Sequence, residues 1–155
     1  MVTHSSKWTI ATLGSHSALQ ILKGAQDEGF KTLAICKKGT EKVYKQFGVA
    51  DKIITVNDYM DLLKIQDKLI KDNVIIIPHA SFIAYMGPSN VEKLKIPYFG
   101  TKKILEHESD RNKEKKWLEG AGCVMPLIFD KPEDIDRPVI VKFHGAGGGK
   151  GYFLA

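Results

Sequence analysis

Short apolar, β-rich runs recur along the front of this sequence, at Trp8 to Leu13, Thr32 to Cys36, Lys52 to Val56 and Val74 to Pro78, and each reads as a strand. Between the first two lies Ser15 to Gly29, where Leu19, Ile21, Leu22 and Ala25 fall at helical spacing and Gly29 supplies the stop. Asp58 to Lys71 repeats that design between the last two. The connection Lys37 to Asp51 is shorter and predicts a small helix over Glu41 to Phe47. Strands alternating with helices imply an α/β fold built on a parallel sheet with right-handed crossovers.

Further along, Ser81 to Met86, Asn90 to Leu94 and Pro97 to Gly100 form brief elements, and Thr101 to Gly122 reads as one long charged helix anchored by Ile104, Trp117 and Leu118. Pro126 and Pro132 fall in the mostly polar stretch from Gly122 to Arg137, which predicts a hinge. The expected domains are therefore residues 1–125 and the beginning of another at 126–155. In the second, Val139 to Phe143 is a strand and Gly151 to Ala155 its partner across a glycine-rich turn. Two strands alone are marginal in water, so this domain is expected to be incomplete and the chain inactive by itself.

With 155 residues, 43% of them hydrophobic, the chain can bury one sizeable core and start a second. A net charge of +5 suits anionic small molecules as well as nucleic acid. Lys102, Lys103, Arg111 and Lys113 alternate with Glu106, Glu108, Asp110 and Glu114, the pattern of a solvated helix face, so no nucleic-acid partner is expected. No apolar run approaches the roughly 18 to 20 residues of a membrane span, and Met1 to Lys7 lacks the apolar core of a signal peptide. A cytoplasmic protein without a membrane partner is the expectation. Cys36 and Cys123 have no redox or metal spacing, and none of the five histidines stands at a short ligand spacing from another or from a cysteine, so no protein-held zinc is expected. Assembly of like copies is left open.

The strongest chemical signal is Val139-Ile140-Val141-Lys142-Phe143-His144-Gly145-Ala146-Gly147-Gly148-Gly149-Lys150-Gly151. In an extended strand Val139, Val141 and Phe143 share one face and Lys142 lies on the other. A lysine in so apolar a run calls for an anion, and bare glycine amides can approach phosphate oxygens without obstruction. A Walker A loop needs glycine where His144 stands and Ser or Thr where Gly151 stands; a dinucleotide fingerprint needs glycine where Lys150 stands. Neither fits, which leaves a flap between two antiparallel strands or a plain long hairpin turn.

This segment resembles the small-domain lysine and phosphate flap of the ATP-grasp superfamily, and Asp110-Arg111 followed by Gly122 to Pro126 is similar to the segment that precedes it there. The front of the chain narrows the resemblance. Ala11 to Ser17 and Ile77 to Tyr85, with Phe99-Gly100 and Glu108 to Arg111, resemble segments of the archaeal formate-dependent synthetases of 5-formaminoimidazole-4-carboxamide ribonucleotide (FAICAR). That similarity runs from about Trp8 to Ala155, less than half of such an enzyme.

The resemblance implies a Rossmann-like pre-ATP-grasp domain, then the start of an ATP-grasp domain. It implies ATP with magnesium, whose carboxylate ligands are expected downstream, and formate and 5-aminoimidazole-4-carboxamide ribonucleotide (AICAR) as substrates. His16 and Ser81 match ribonucleotide-contacting positions, while Arg111, Lys142, Gly147, Gly148, Gly149 and Lys150 match ATP-binding ones. Chain order agrees with the pairing, because His16 follows the first strand and Ser81 the fourth, placing both at the sheet's carboxyl edge. Gly14, Ser15 and the following helix start would offer backbone donors to a phosphate. Ser15 also reads as an N-cap with no ligand at all, and His79 as a ligand contact or a hydrogen-bonded structural histidine. Other readings are an ATP-grasp ligase for a different amine and a non-catalytic nucleotide-binding module.

Overall fold

The computed structural model describes residues 7–142 and 152–155. Its centre is β1 (Thr9–Leu13), in which Ala11, Thr12 and Leu13 are fully covered. Burial on both sides of a strand requires helices on both faces, which parallel crossovers supply. Helix α1 (Ala18–Asp27) leads to β2 (Lys31–Lys37), and α2 (Glu41–Phe47) leads to β3 (Lys52–Val56). A 3-10 turn at Tyr59–Asp61 and α3 (Leu62–Lys71) then carry the chain to β4 (Val74–Ile76).

The four strands are parallel in the order β3-β2-β1-β4, with Ala11 opposite Leu33 on one side and Ile76 on the other. The α/β class and the parallel sheet expected above are what the structure shows. Winding reverses at β1, where β2 and β3 lie to one side and β4 to the other. Leu22, Leu33, Ile35, Leu62, Leu69 and Ile76 are almost wholly excluded from water. Each such side chain contributes roughly 2 kcal/mol of transfer free energy.

Past β4 the chain forms α4 (Ser81–Met86) and α5 (Pro88–Glu92) and then lays Tyr98 parallel to Ile76 as a single bridge. Two backbone bonds seal that bridge, Ile76 N–H to Pro97 O at 2.8 Å and Phe99 N–H to Ile76 O at 2.9 Å.

The chain divides into two compact units, one ending at Lys102 and the other beginning at Lys103. The second holds α6 (Ile104–Ser109), α7 (Arg111–Gly120), a 3-10 turn at Pro132–Asp134 and the antiparallel ribbon β5 (Ile140–Lys142) with β6 (Tyr152–Leu154). The single long helix expected over Thr101 to Gly122 is therefore two. Asp110 takes extended backbone angles, and its carboxylate accepts from the N–H groups of Asn112 and Lys113 at 2.9 and 3.2 Å, so it caps α7 and interrupts what helix-favouring neighbours would have continued.

Candidate functional site

Where winding reverses, the loops after β1 and β4 face one another at the carboxyl edge of the sheet, the place open α/β folds use for ligands. Two bonds draw these loops together: Ile77 N–H to Ala11 O at 2.8 Å and the buried Thr12 hydroxyl to Ile77 O at 2.7 Å. His79 lies just beyond. Its Nε2 is 2.9 Å from Leu13 O, and a carbonyl only accepts, so this nitrogen carries the proton. Its Nδ1 accepts from the Ser81 N–H at 3.3 Å. Both ring nitrogens are thus engaged by the chain, and the imidazole sits neutral in one tautomer. Burial holds its pKa below the usual histidine value, opposed by the Leu13 carbonyl and aided by the neighbouring His16.

Ser81, wholly buried at the start of α4, places its Oγ 3.0 Å from His16 Nδ1. His16 is exposed and takes φ 42°, a left-handed conformation uncommon outside glycine. Such local strain persists where surroundings impose it. Here the serine hydroxyl lies against Nδ1 and aims the imidazole. The two histidine rings lie 6.3 Å apart between centroids. Four positions marked in the sequence, Ser15, His16, His79 and Ser81, therefore converge on one edge.

The phosphate cradle expected from Gly14 and Ser15 needs correction. Gly14 N–H donates to Ile35 O at 2.7 Å and Ser15 N–H to Leu13 O at 2.8 Å, so neither amide is available. Gly14 is required for packing instead, since a Cβ there would lie 2.7 Å from Cys36 Sγ and 2.9 Å from a Tyr44 ring carbon. Nor does Ser15 cap α1 through its side chain. The N-cap is Ser17, without a side-chain bond, and the Ser15 hydroxyl lies 3.4 Å from the Tyr85 hydroxyl.

Sequence reading missed a cleft beside this edge. It encloses about 290 Å³ between Ser15, Lys37, Thr40, Asp58, Tyr59 and Tyr85. Tyr59 donates to Gly14 O at 2.9 Å and stacks on Tyr85 with centroids 5.1 Å apart, which fixes one wall. Four of these residues, Lys37, Thr40, Asp58 and Tyr59, sit at or just beyond the carboxyl ends of β2 and β3, a regularity that marks them once sheet order is known. The nearby Cys36 thiol is buried, and burial pushes its pKa up to about 11, so it acts as core.

In the second unit Arg111 opens α7, half-buried, and Lys142 ends β5, exposed opposite Tyr152. They stand on separate elements. Gly147, Gly148, Gly149 and Lys150 lie outside the described residues.

A family model described as "Protein of unknown function (DUF1246)" matches residues 10–129. A protein of Methanosphaera stadtmanae named 5-formaminoimidazole-4-carboxamide-1-(beta)-D-ribofuranosyl 5'-monophosphate synthetase is 54% identical over 152 residues, 96% of this chain and 42% of that protein. One of the same name from Pyrococcus abyssi is 53% identical over 147 residues, 94% of this chain and 42% of that protein. The chain thus spans about two-fifths of the length of the curated relatives it matches. Among solved structures, the IMP biosynthesis protein PurP from Thermococcus kodakaraensis aligns with TM-score 0.73 and 29% identity over 94% of this chain and 48% of its own. N5-carboxyaminoimidazole ribonucleotide synthetase from Thermotoga maritima aligns with TM-score 0.69 and 18% identity, covering 95% of this chain and 40% of its own, a likeness of fold.

Proposed function

Because this chain belongs to the family described as protein of unknown function DUF1246, and its relatives carry a synthetase name, we propose that it is the front portion of an ATP-dependent ligase that formylates AICAR to FAICAR. The sheet-bearing unit is the pre-ATP-grasp domain, and the β5–β6 ribbon begins the ATP-grasp domain. The observation that carries this reading is His16, held by buried Ser81 at the point where the sheet reverses its winding.

In the proposed reaction one formate oxygen takes the γ-phosphoryl group of ATP, releasing ADP. The AICAR amine nitrogen then bonds to the formyl carbon, the bond from that carbon to phosphate breaks, and the amine gives up a proton to solvent. An activated acyl phosphate needs positioning more than a strong base. His16 and Ser81 orient the ribonucleotide. His79, with both nitrogens engaged by the chain, positions the loop beneath them. Arg111, Lys142 and the glycine amides with Lys150 oppose the negative charge of the transferring phosphoryl group. Magnesium, expected with the nucleotide, finds no ligand set among the described residues, where no three His, Cys, Asp or Glu side chains gather to hold an ion. The chemistry assigned to this chain rests on its own cations, imidazole and hydroxyls.

A calorimetric titration of the intact protein against AICAR and a panel of other ribonucleotides tests the reading. Preferential AICAR binding that His16→Ala weakens supports it. Indifference to AICAR refutes it.

A further inference from the structure

The cleft beside His16 holds a cation and an anion at once. Lys37 Nζ lies 3.6 Å from Asp58 Oδ2, and both side chains are more than half exposed, so the pair is weakly held and can be shared with a ligand. Asp58 is the more firmly held of the two. Its Oδ1 accepts from Met60 N–H at 2.9 Å, and its own N–H donates to Asp61 Oδ2 at 3.1 Å, a capping box that pins the carboxylate at the cleft wall. The Thr40 hydroxyl is occupied as a donor by Lys37 O at 2.8 Å and retains its acceptor lone pairs.

A phosphate dianion placed here would meet the fixed Asp58 carboxylate. A purely apolar ring would strand the Lys37–Asp58 pair away from water. A vicinal diol satisfies both groups, because its hydroxyls donate to the carboxylate and accept from the ammonium. A pentose fits easily within about 290 Å³. Ser15 and Tyr85 line this cleft, and Ser15 immediately precedes His16, so the cleft continues the edge on which His16 and Ser81 meet.

We infer that the cleft walled by Ser15, Lys37, Asp58 and Tyr85 is a ribose subsite, in which Asp58 and Lys37 read the paired hydroxyls of the nucleotide whose other groups lie at His16 and Ser81. This rests on the ribonucleotide reading given above and adds the residues that set its preference for ribose over deoxyribose.

The test uses the intact protein and two probes, AICAR and its 2′-deoxyribose analogue, with Asp58→Asn, which keeps a good helix cap, and Lys37→Met, which keeps the aliphatic stem. Circular dichroism and thermal melting establish that both variants fold. The wild type is expected to prefer AICAR by roughly 10- to 100-fold in Kd, the worth of a hydrogen bond to a charged group. Each variant is expected to compress that preference to within about 3-fold, chiefly by weakening AICAR. Variants that retain the full preference overturn the subsite while leaving the ribonucleotide reading intact. Tighter AICAR binding by Asp58→Asn also overturns it, assigning the cleft to the phosphate. A wild type that binds neither probe defeats the ribonucleotide reading itself, and the subsite with it.

Discussion

Replacing Gly14 by alanine places a methyl group where the structure has no room for one. The new Cβ would lie 2.7 Å from Cys36 Sγ, 2.9 Å from Tyr44 Cε2 and 3.4 Å from Cys36 Cα. Ordinary carbon contacts begin near 3.5 Å, so two neighbours must each retreat by more than about half an ångström. Neither yields easily. Cys36 lies near the end of β2, paired to β3 and wholly buried, and Tyr44 is only 5% exposed within the cluster formed by Ala18, Leu22, Ala34 and Val49. Overpacking of this kind costs about 1–3 kcal/mol. For a unit of this size, a loss of about 2 kcal/mol lowers Tm by roughly 10 °C. Cys36→Ala removes the nearest atom, so the double variant should recover about 1 kcal/mol relative to the sum of the single ones. The 3.4 Å approach to Cys36 Cα limits recovery to part of the loss. Urea unfolding of the intact protein, wild type and three variants, measures the coupling. A Gly14→Ala variant within about 0.5 kcal/mol of wild type, or single effects that simply add, would refute the packing role and return Gly14 to the ligand.

Three further outcomes are expected. His16→Ala should raise the Kd for AICAR by roughly 10-fold while sparing ATP, and Lys142→Ala should do the reverse; titration calorimetry separates the two, and exchanged effects would remove the division of labour. The folded-state pKa of His79 lies below the 6.5 of an unperturbed histidine, so its contribution is fully present above that pH. Stability should decline as pH falls through 6.5 toward the folded value, because the unfolded chain then binds the extra proton, and His79→Gln should lose that part of the slope in denaturation measured from pH 8 to pH 5. Asp110→Ala should cost about 1 kcal/mol by uncapping α7, seen as lost helical ellipticity on heating, whereas Asp110→Asn should cost little.

How much the sequence discloses differs by level. The periodic runs locate β1 to β4, and Glu41 to Phe47 forms the small helix its position implies. Gly29 stops α1 with φ 79°, a local choice written in one residue. The break at Asp110 was hidden because charged helix formers continue on either side, and only backbone angles show the aspartate capping. Gly14 carries the opposite lesson. A glycine after a strand suggests ligand approach, yet its neighbours Cys36 and Tyr44 come from β2 and α2, and such proximity appears only once strands are ordered. The His16–Ser81 pairing was legible because both follow strands at one edge. Lys37 and Asp58 obey that rule as well, but without the order β3-β2-β1-β4 nothing brings them beside Ser15.

In the proposed reaction a ribonucleotide anchored by His16 and Ser81 accepts a formyl group at the expense of ATP. The most direct test of this transfer is product analysis by the intact protein given AICAR, formate, ATP and magnesium, with ADP and FAICAR quantified together. Both are expected to accumulate in equal amounts, and Ser81→Ala is expected to need a higher AICAR concentration to reach the same rate. ADP release indifferent to AICAR, or no FAICAR while AICAR is bound, would contradict it.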